Sequence, residues 1–413
     1  MIIKWVKEYS NLSIFVLTIL FIFCINLSIY YWKYQELVYE EIYETRVEVL
    51  NIYEKENYYV LKLKNNDFTF FTNFEKIDEI TQKDYINIAF LTKRIDFFDF
   101  LKGFYTKTIY YEKLFIEPTV SQTLINYSDS QHYNEMNKEL FRALFFAVPI
   151  SKELRDICAN YGISHLMALS GFHLGILSFI IYWILYFPYS YFHTRYFPYR
   201  NIKYDVLIMV MFLLFLYVLL TDIVPSLFRA FVMMAFGLYL LRNNIKLFSF
   251  TNLFLVLLII VALFPKYLFS LSLWFSIFGV FYIFLFIQYF KDIKSWFVQL
   301  LLFNFWIYFA MNPMVHYFFD TTSYEQLLSP IITLAFTIFY PLELFLHFIG
   351  YGGLFDKYLI LFFSHKFNSF SVSTALWFFV IYMIVSFASI FDKRAFYVLN
   401  FLLLVFTIYL FFS

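Results

Sequence analysis

The sequence predicts a polytopic α-helical membrane protein with a small extracytoplasmic all-β domain of the OB type near its N-terminus. Composition is the first reason. Of the 413 residues, 62% are hydrophobic and only 15% are charged, and the mean hydropathy is +0.67. A soluble domain carries about 25% charged residues to cover its surface. The second reason is run length: from residue 164 onward, apolar stretches approach the ~18 residues that a helix needs to cross ~30 Å of hydrocarbon. The third is an abrupt change of pattern between residues 34 and 116, where short alternating segments replace long apolar ones.

The first element, residues 1–33, contains an apolar stretch from Leu12 to Trp32 preceded by Lys4 and Lys7. It lacks a small-residue cleavage site after the run, so it reads as an uncleaved anchor with a cytoplasmic N-terminus. Cys24 lies inside this run and Cys158 far away, which argues against a structural disulfide. No Cys/His cluster has zinc spacing, so no metal is expected.

Residues 34–116 contain five strand-like segments: Arg46–Ile52, Tyr58–Leu63, Phe68–Thr72, Tyr85–Leu91 and Lys107–Tyr111. Alternation with β-branched and aromatic residues is the strand signature, and five short strands suggest a small barrel. Residues 35–114 hold 15 Asp plus Glu against 11 Lys plus Arg. That balance opposes a phosphate-binding surface, so scaffolding or docking stands beside direct DNA binding for this lobe. The 61 Phe and 37 Tyr invite a base-stacking reading, but abundant Ile, Lys and Asn point to a coding bias.

Residues 117–163 read as interfacial. Two amphipathic helices over Asn137–Tyr161 are broken at Pro149, with Ser151 as N-cap and Glu153 in the first turn of the second. Lys138, Arg142, Lys152 and Arg155 give a basic face suited to lipid headgroups.

Residues 164–413 form the polytopic part, with spans near 164–187, 205–221, 226–241, 250–264, 268–289, 296–311, 329–349, 369–389 and 395–412. With the β domain outside, inner loops carry Arg195, Arg200, Lys203, Arg242, Lys246, Lys291 and Lys294. The outer turns at 222–225 and 312–325 carry neither Lys nor Arg, and Lys266 is the exception. Counting then puts Lys393 and Arg394 on the wrong side. Pro330 and Pro341 interrupt 329–349, which predicts a re-entrant segment there, lining a cavity.

The densest polar cluster within an apolar span runs from His165 through Ser170, Gly171 and His173 to Gly175. Ser170 and His173 share a helix face, and Gly171 with Gly175 forms a small-residue ridge that lets another helix come close or permits a local break. A GxSxG nucleophile elbow is missing, as are a P-loop and a His-x-His-x-Asp-His run, so the chain is not read as an enzyme. Ionisable groups in a span usually face a cavity or a partner. Arg229 is the second such residue, set in Pro225-Ser226-Leu-Phe-Arg229-Ala; an ion pair with Asp222 and a phosphate contact both fit it. Gln299, Asn304, His316, Gln326, Glu343 and His347 read singly as helix-bridging groups.

The order of these parts resembles the ComEC family of competence proteins. Gly162-Ile-Ser-His165-Leu-Met-Ala-Leu-Ser170-Gly171-Phe-His173-Leu-Gly175 is similar to the family's most specific signature. Asp96-Phe-Phe-Asp-Phe-Leu101-Lys-Gly103 resembles its motif at the end of the β domain. Pro225-Ser226 with Arg229-Ala230, Pro265 with Ser270 and Ser276, and Leu327-Leu-Ser329-Pro330 echo further elements. The chain departs from the pattern at Phe264, Trp274 and Thr333.

The resemblance implies an inner-membrane channel that takes up single-stranded DNA during natural transformation. His165, Ser170, Gly171, His173, Gly175, Pro225, Ser226, Arg229, Ser329 and Pro330 would line or shape the pathway, without a cofactor. Expected partners are single-stranded DNA, membrane lipid, an outer-side DNA receptor, and a cytoplasmic single-stranded-DNA-binding protein or ATPase. A homo-oligomer also fits. The chain ends without the metallo-β-lactamase-like domain of many relatives, so a separate nuclease is expected. The rival readings are a secondary transporter of a small solute, which predicts internal repeats, and a membrane scaffold presenting the β domain.

Overall fold

The computed structural model describes residues 2–65, 67–75, 80, 82–93, 95–114, 119–221, 223–242 and 249–412. The chain divides into two compact units, Met1–Thr119 with Phe254–Trp274, and Val120–Leu253 with Phe275–Ser413.

The first unit begins with α1 (Ile2–Tyr39), 38 residues long. At 1.5 Å per residue it outruns a bilayer core, so its last turns serve the β domain. Leu37 is buried in the barrel core, and Tyr34 Oη donates to Ile95 O at 3.0 Å. The division expected at residue 33 therefore falls inside one continuous helix. The strands are β1 (Ile42–Glu54), β2 (Tyr58–Lys64), β3 (Thr69–Glu75) and β4 (Tyr85–Leu91). Helix α2 (Phe97–Lys102), β5 (Phe104–Tyr105) and β6 (Thr108–Leu114) complete the domain.

Strand order is β5-β3-β2-β1-β4-β6. β1 is long enough to pair with both β2 and β4 across a bulge between Val49 and Asn51. The last two strands are one run broken at Thr106. β5 pairs in parallel with β3, β6 pairs antiparallel with β4, and Thr106 N donates to Phe71 O at 2.9 Å. That crossing closes the barrel with OB-like connectivity. All five expected strands are present, and the additional β5 is two residues long.

Inside, Phe68, Phe70, Phe90, Phe100 and Phe104 pack ring against ring. These rings fill the core and are not a stacking surface for bases. The segment Asp96–Gly103 is α2 and its stop. Gly103 takes φ +101°, and a Cβ there would meet Thr69 O at 3.2 Å, so only glycine turns the chain into β5 without strain.

The second unit opens with α3 (Val120–Asp129), α4 (Glu135–Phe146), α5 (Lys152–Asn160) and α6 (Ser164–Met167). Helices α7 (Gly171–Tyr196), α8 (Ile202–Leu220) and α9 (Pro225–Arg242) follow, and α10 (Phe250–Leu263) straddles the division between units. The remainder is α11 (Leu271–Phe290), α12 (Trp296–Phe318), β7 (Thr321–Thr322), α13 (Ser329–Phe348), α14 (Asp356–Phe363), β8 (Phe370–Ser371), α15 (Leu376–Ala388) and α16 (Lys393–Phe412).

Seven helices among the described residues are long and apolar enough to cross a membrane. Ser226–Tyr239, Phe250–Leu263 and Leu376–Ala388 are shorter apolar helices. The last replaces the span expected at 369–389, because the Ser/Thr-rich 369–374 stretch is extended and β8 pairs with β7. Lys246, among the loop charges counted above, lies outside the described residues.

Two expectations are corrected. The re-entrant segment at 329–349 is one continuous helix, α13. Pro330 sits in its first turn, where its missing N–H costs nothing, and Pro341 is carried inside the helix. The irregular backbone lies beyond it, at 349–355 and 364–375. The second correction concerns α4, expected to lie on headgroups. Leu140, Phe141, Leu144, Phe145 and Phe146 are buried in the largest apolar core of the unit. Its basic side is neutralised internally: Arg142 Nε donates to both Asp129 carboxylate oxygens at 2.9 Å, and Arg142 also pairs with Glu135 at 3.0 Å. Ser151 does cap α5, accepting from Leu154 N at 3.2 Å.

Candidate functional site

The segment Gly162–Gly175 stops one helix, makes a single turn and starts another. α5 ends in a Schellman arrangement, with Gly162 N donating to Ala159 O at 3.0 Å and Ile163 N to Cys158 O at 2.9 Å. Gly162 takes the left-handed φ of +69° that this requires. Its missing side chain also admits α13, since a Cβ would lie 3.2 Å from Ser329 Cβ.

α13 and the turn before it close over the end of α5. Ser329 Oγ donates to Gly162 O at 2.8 Å, Gln326 Nε2 to Ala159 O at 3.0 Å, and Ser323 Oγ to Asn160 O. The orphan carbonyls that every helix C-terminus presents are thus satisfied by residues about 165 positions away. Ser329 is fully buried and Pro330 is buried beside it. One turn further on, Thr333 Oγ1 donates to Ser329 O at 2.8 Å and lies 3.3 Å from His165 Nε2. His165, on the short α6, keeps an exposed face.

After α6 the backbone is extended to Ser170, which is the N-cap of α7. Ser170 Oγ accepts from Phe172 N at 3.3 Å, and His173 Nδ1 accepts from Ser170 N at 3.3 Å. This is a capping box with histidine in the place usually taken by Glu or Gln. The sequence reading puts Ser170 and His173 on one helix face and leaves a local break at Gly171 and Gly175 open; the structure has the break, and places the helix start at Ser170. His173 is fully buried, its ring edge-on to Tyr340 at 4.8 Å and to Phe336 at 5.5 Å. His173 Nε2 has no hydrogen-bond partner among the described residues.

The third element enters through α9. Gly171 faces Ala230, whose Cβ would stand 3.5 Å from a Cβ added at Gly171, whereas Gly175 opens onto empty space. Pro225 begins α9, Ser226 is half-buried, and Arg229 lies one turn in, buried at 5% exposure. Asp222, the expected partner of Arg229, lies outside the described residues.

α6, α7 and α13 meet around His165, His173 and Ser329, and α9 reaches α7 where Ala230 faces Gly171, one residue beyond Arg229; Pro225 and Ser226 lie at the start of α9. Gly175 stands one turn along α7 from the rest. Thr333 belongs with them, and so do Gln326, read from sequence only as a helix-bridging group, and Ser323, which no spacing rule singled out; both bond backbone carbonyls.

A model of the Competence protein family matches residues 147–413. The chain belongs to that family. The match runs from just before α5 to α16 and takes in every element of the site. Membership makes this a multi-pass membrane protein of the ComEC type and ties it to DNA uptake in natural transformation. No curated protein and no solved structure matches the chain.

Proposed function

We propose that the protein conducts single-stranded DNA inward across the cytoplasmic membrane during natural transformation. In this reading the N-terminus is cytoplasmic, the barrel lies on the outer side, and the site around α6, α7, α9 and α13 shapes the path. The observation that carries it is the Competence-family match over 147–413.

Physical features of the site support it. Phosphates favour helix N-termini and guanidinium groups. The first turn of α7 abuts α9 at Gly171 and Ala230, and Arg229 sits beside that contact. His165 offers a polar ring with an open face, 3.3 Å from Thr333 Oγ1 of α13. Ser170 and His173 are engaged in capping, which favours a non-catalytic role. An outer DNA receptor, a separate nuclease, and a cytoplasmic single-stranded-DNA-binding protein or ATPase would complete the pathway, with the barrel as a docking lobe.

The test is a deletion strain fed fluorescent double-stranded DNA, with outer foci and transformants scored separately. Foci should persist while transformants vanish, and normal counts of both would end the channel reading. Arg229→Ala, at normal protein level, should lower transformation at least about tenfold, as expected for loss of a phosphate contact. An unchanged frequency would remove Arg229 from the path.

A further inference from the structure

Away from that site, four ionisable side chains form a buried chain of contacts. His132, in the turn between α3 and α4, has Nδ1 2.7 Å from Asp356 Oδ1 and Nε2 2.8 Å from His347 Nε2. His347 Nδ1 lies 2.8 Å from the backbone carbonyl of Glu343 and 3.3 Å from its carboxylate Oε2. Exposures are 5%, 6%, 5% and 1% for His132, His347, Asp356 and Glu343. The sequence offered Glu343 and His347 only as separate bridging groups, and His132 and Asp356 not at all.

Counting hydrogens across this chain gives a definite result. Both ends are acceptors, a carboxylate oxygen at Asp356 and a carbonyl oxygen at Glu343. Three hydrogen bonds lie between them, through four ring nitrogens, and each bond needs one hydrogen. Two neutral imidazoles supply two. A carbonyl cannot donate, so His347 Nδ1 carries a hydrogen. The Nε2 to Nε2 contact and the Asp356 contact each need another.

We infer that Asp356, His132 and His347 form a buried proton-binding site, in which one added proton fastens the α3–α4 turn to the corner between α13 and α14. With that proton bound, His347 Nδ1–H points at the Glu343 carbonyl, one hydrogen lies between the two Nε2 atoms, and one lies between His132 Nδ1 and Asp356 Oδ1. Burial lowers the basicity of His132, and its hydrogen bond and charge interaction with Asp356 oppose that effect. The carboxylate of Glu343 makes no hydrogen bond among the described residues and lies 3.3 Å from His347 Nδ1. The other charged groups near the site are Asp129 on α3 and Arg142 with Glu135 on α4, already tied to one another.

The same corner is built to hold this turn. Gly352 N donates to Gln131 Oε1 at 2.7 Å, Gln131 Nε2 to His347 O at 3.2 Å, and Tyr133 N to Asp356 Oδ2 at 3.3 Å. Gly352 leaves room for the ring, since a Cβ there would come within 2.7 Å of His347 Nε2. Losing the proton breaks one of the three bonds and leaves two lone pairs, or a lone pair and a carbonyl, facing each other.

The test uses the full chain in detergent with ¹⁵N-labelled histidine. Ring-nitrogen NMR reads the protonation of each nitrogen, and H132Q and H347Q assign the signals. At pH 7 the two rings together should carry three hydrogens, one of them on His347 Nδ1. Two singly protonated rings at pH 7 would overturn the inference. Wild-type amide exchange gives a readout that needs no variant. After correction for intrinsic rates, raising the pH from 6 to 9 should speed exchange at 130–134 about fivefold relative to α12, as loss of one hydrogen bond implies. Equal acceleration in both segments would also overturn it.

Discussion

Ser170 and His173 direct their polar atoms at each other and at the first turn of α7. Ser170→Ala should therefore cost about 1 kcal/mol of stability, the usual loss for an N-cap, while Ser170→Thr restores most of it. Thermal unfolding in detergent reads both, and an unchanged midpoint for the alanine variant would remove the capping role. Gly162 is constrained twice, by its φ of +69° and by Ser329 Cβ. Gly162→Ala should cost about 1–2 kcal/mol from backbone strain alone, more than the same change at Gly175, where no atom stands within 4 Å. Cys158 gives a pH-dependent prediction. Burial, with Glu139 adding to it, pushes its thiol up to about 12. Thiolate is the reactive form, and a raised thiol pKa leaves little of it at pH 8. Alkylation of folded protein at pH 8 should be at least about a hundredfold slower than after denaturation; comparable rates would show that the thiol is not shielded.

Whole elements owe their positions to partners far along the chain. α5 has only nine residues, too short to persist alone, and the turn before α13 holds its C-terminal carbonyls. α13 remains a single helix despite two prolines. Pro341→Ala supplies a missing N–H and removes a ring clash, so it should leave folding intact or raise the unfolding midpoint. A loss of folded protein would mean that the proline shapes the helix in a way that alanine cannot. The basic residues of α4 illustrate how a charge pattern misleads. Lys138 and Arg142 read as a face for headgroups, yet Glu135 and Asp129 take both. Helical spacing identifies which residues share a face, but it does not say what another helix brings to that face.

At the scale of the molecule, the barrel owns a separate apolar core built from residues 37 to 104. A fragment spanning residues 34–119 should fold alone and melt in one cooperative step by circular dichroism. A disordered fragment would show that the barrel depends on the remainder of α1 or on 254–274. The helical unit carries two separate polar systems, the capped junction around Gly162 and Ser329 and the chain from Asp356 to Glu343. Both tie the α3–α6 region to α13 and α14.

The amino-acid sequence alone determined the membrane class, the apolar N-terminal helix, the five principal strands, the Ser151 cap and the family resemblance. Each depends on hydration and local periodicity: an apolar run either matches a bilayer or it does not, and alternation fixes which strand face is dry. The sequence did not place the helix start at Ser170, because a polar residue in an apolar run can bridge helices or cap one, and only backbone geometry tells the two apart. Tertiary structure decided that Ser329 meets Gly162 across 167 positions and that His132 meets His347 across 215 and Asp356 across 224. The physical reason is that lipid tails and a helix interface are almost equally apolar. In such a chain hydrophobic pattern places helices in the membrane but does not say which ones touch, and that choice rests on close packing and on satisfying a few buried polar atoms.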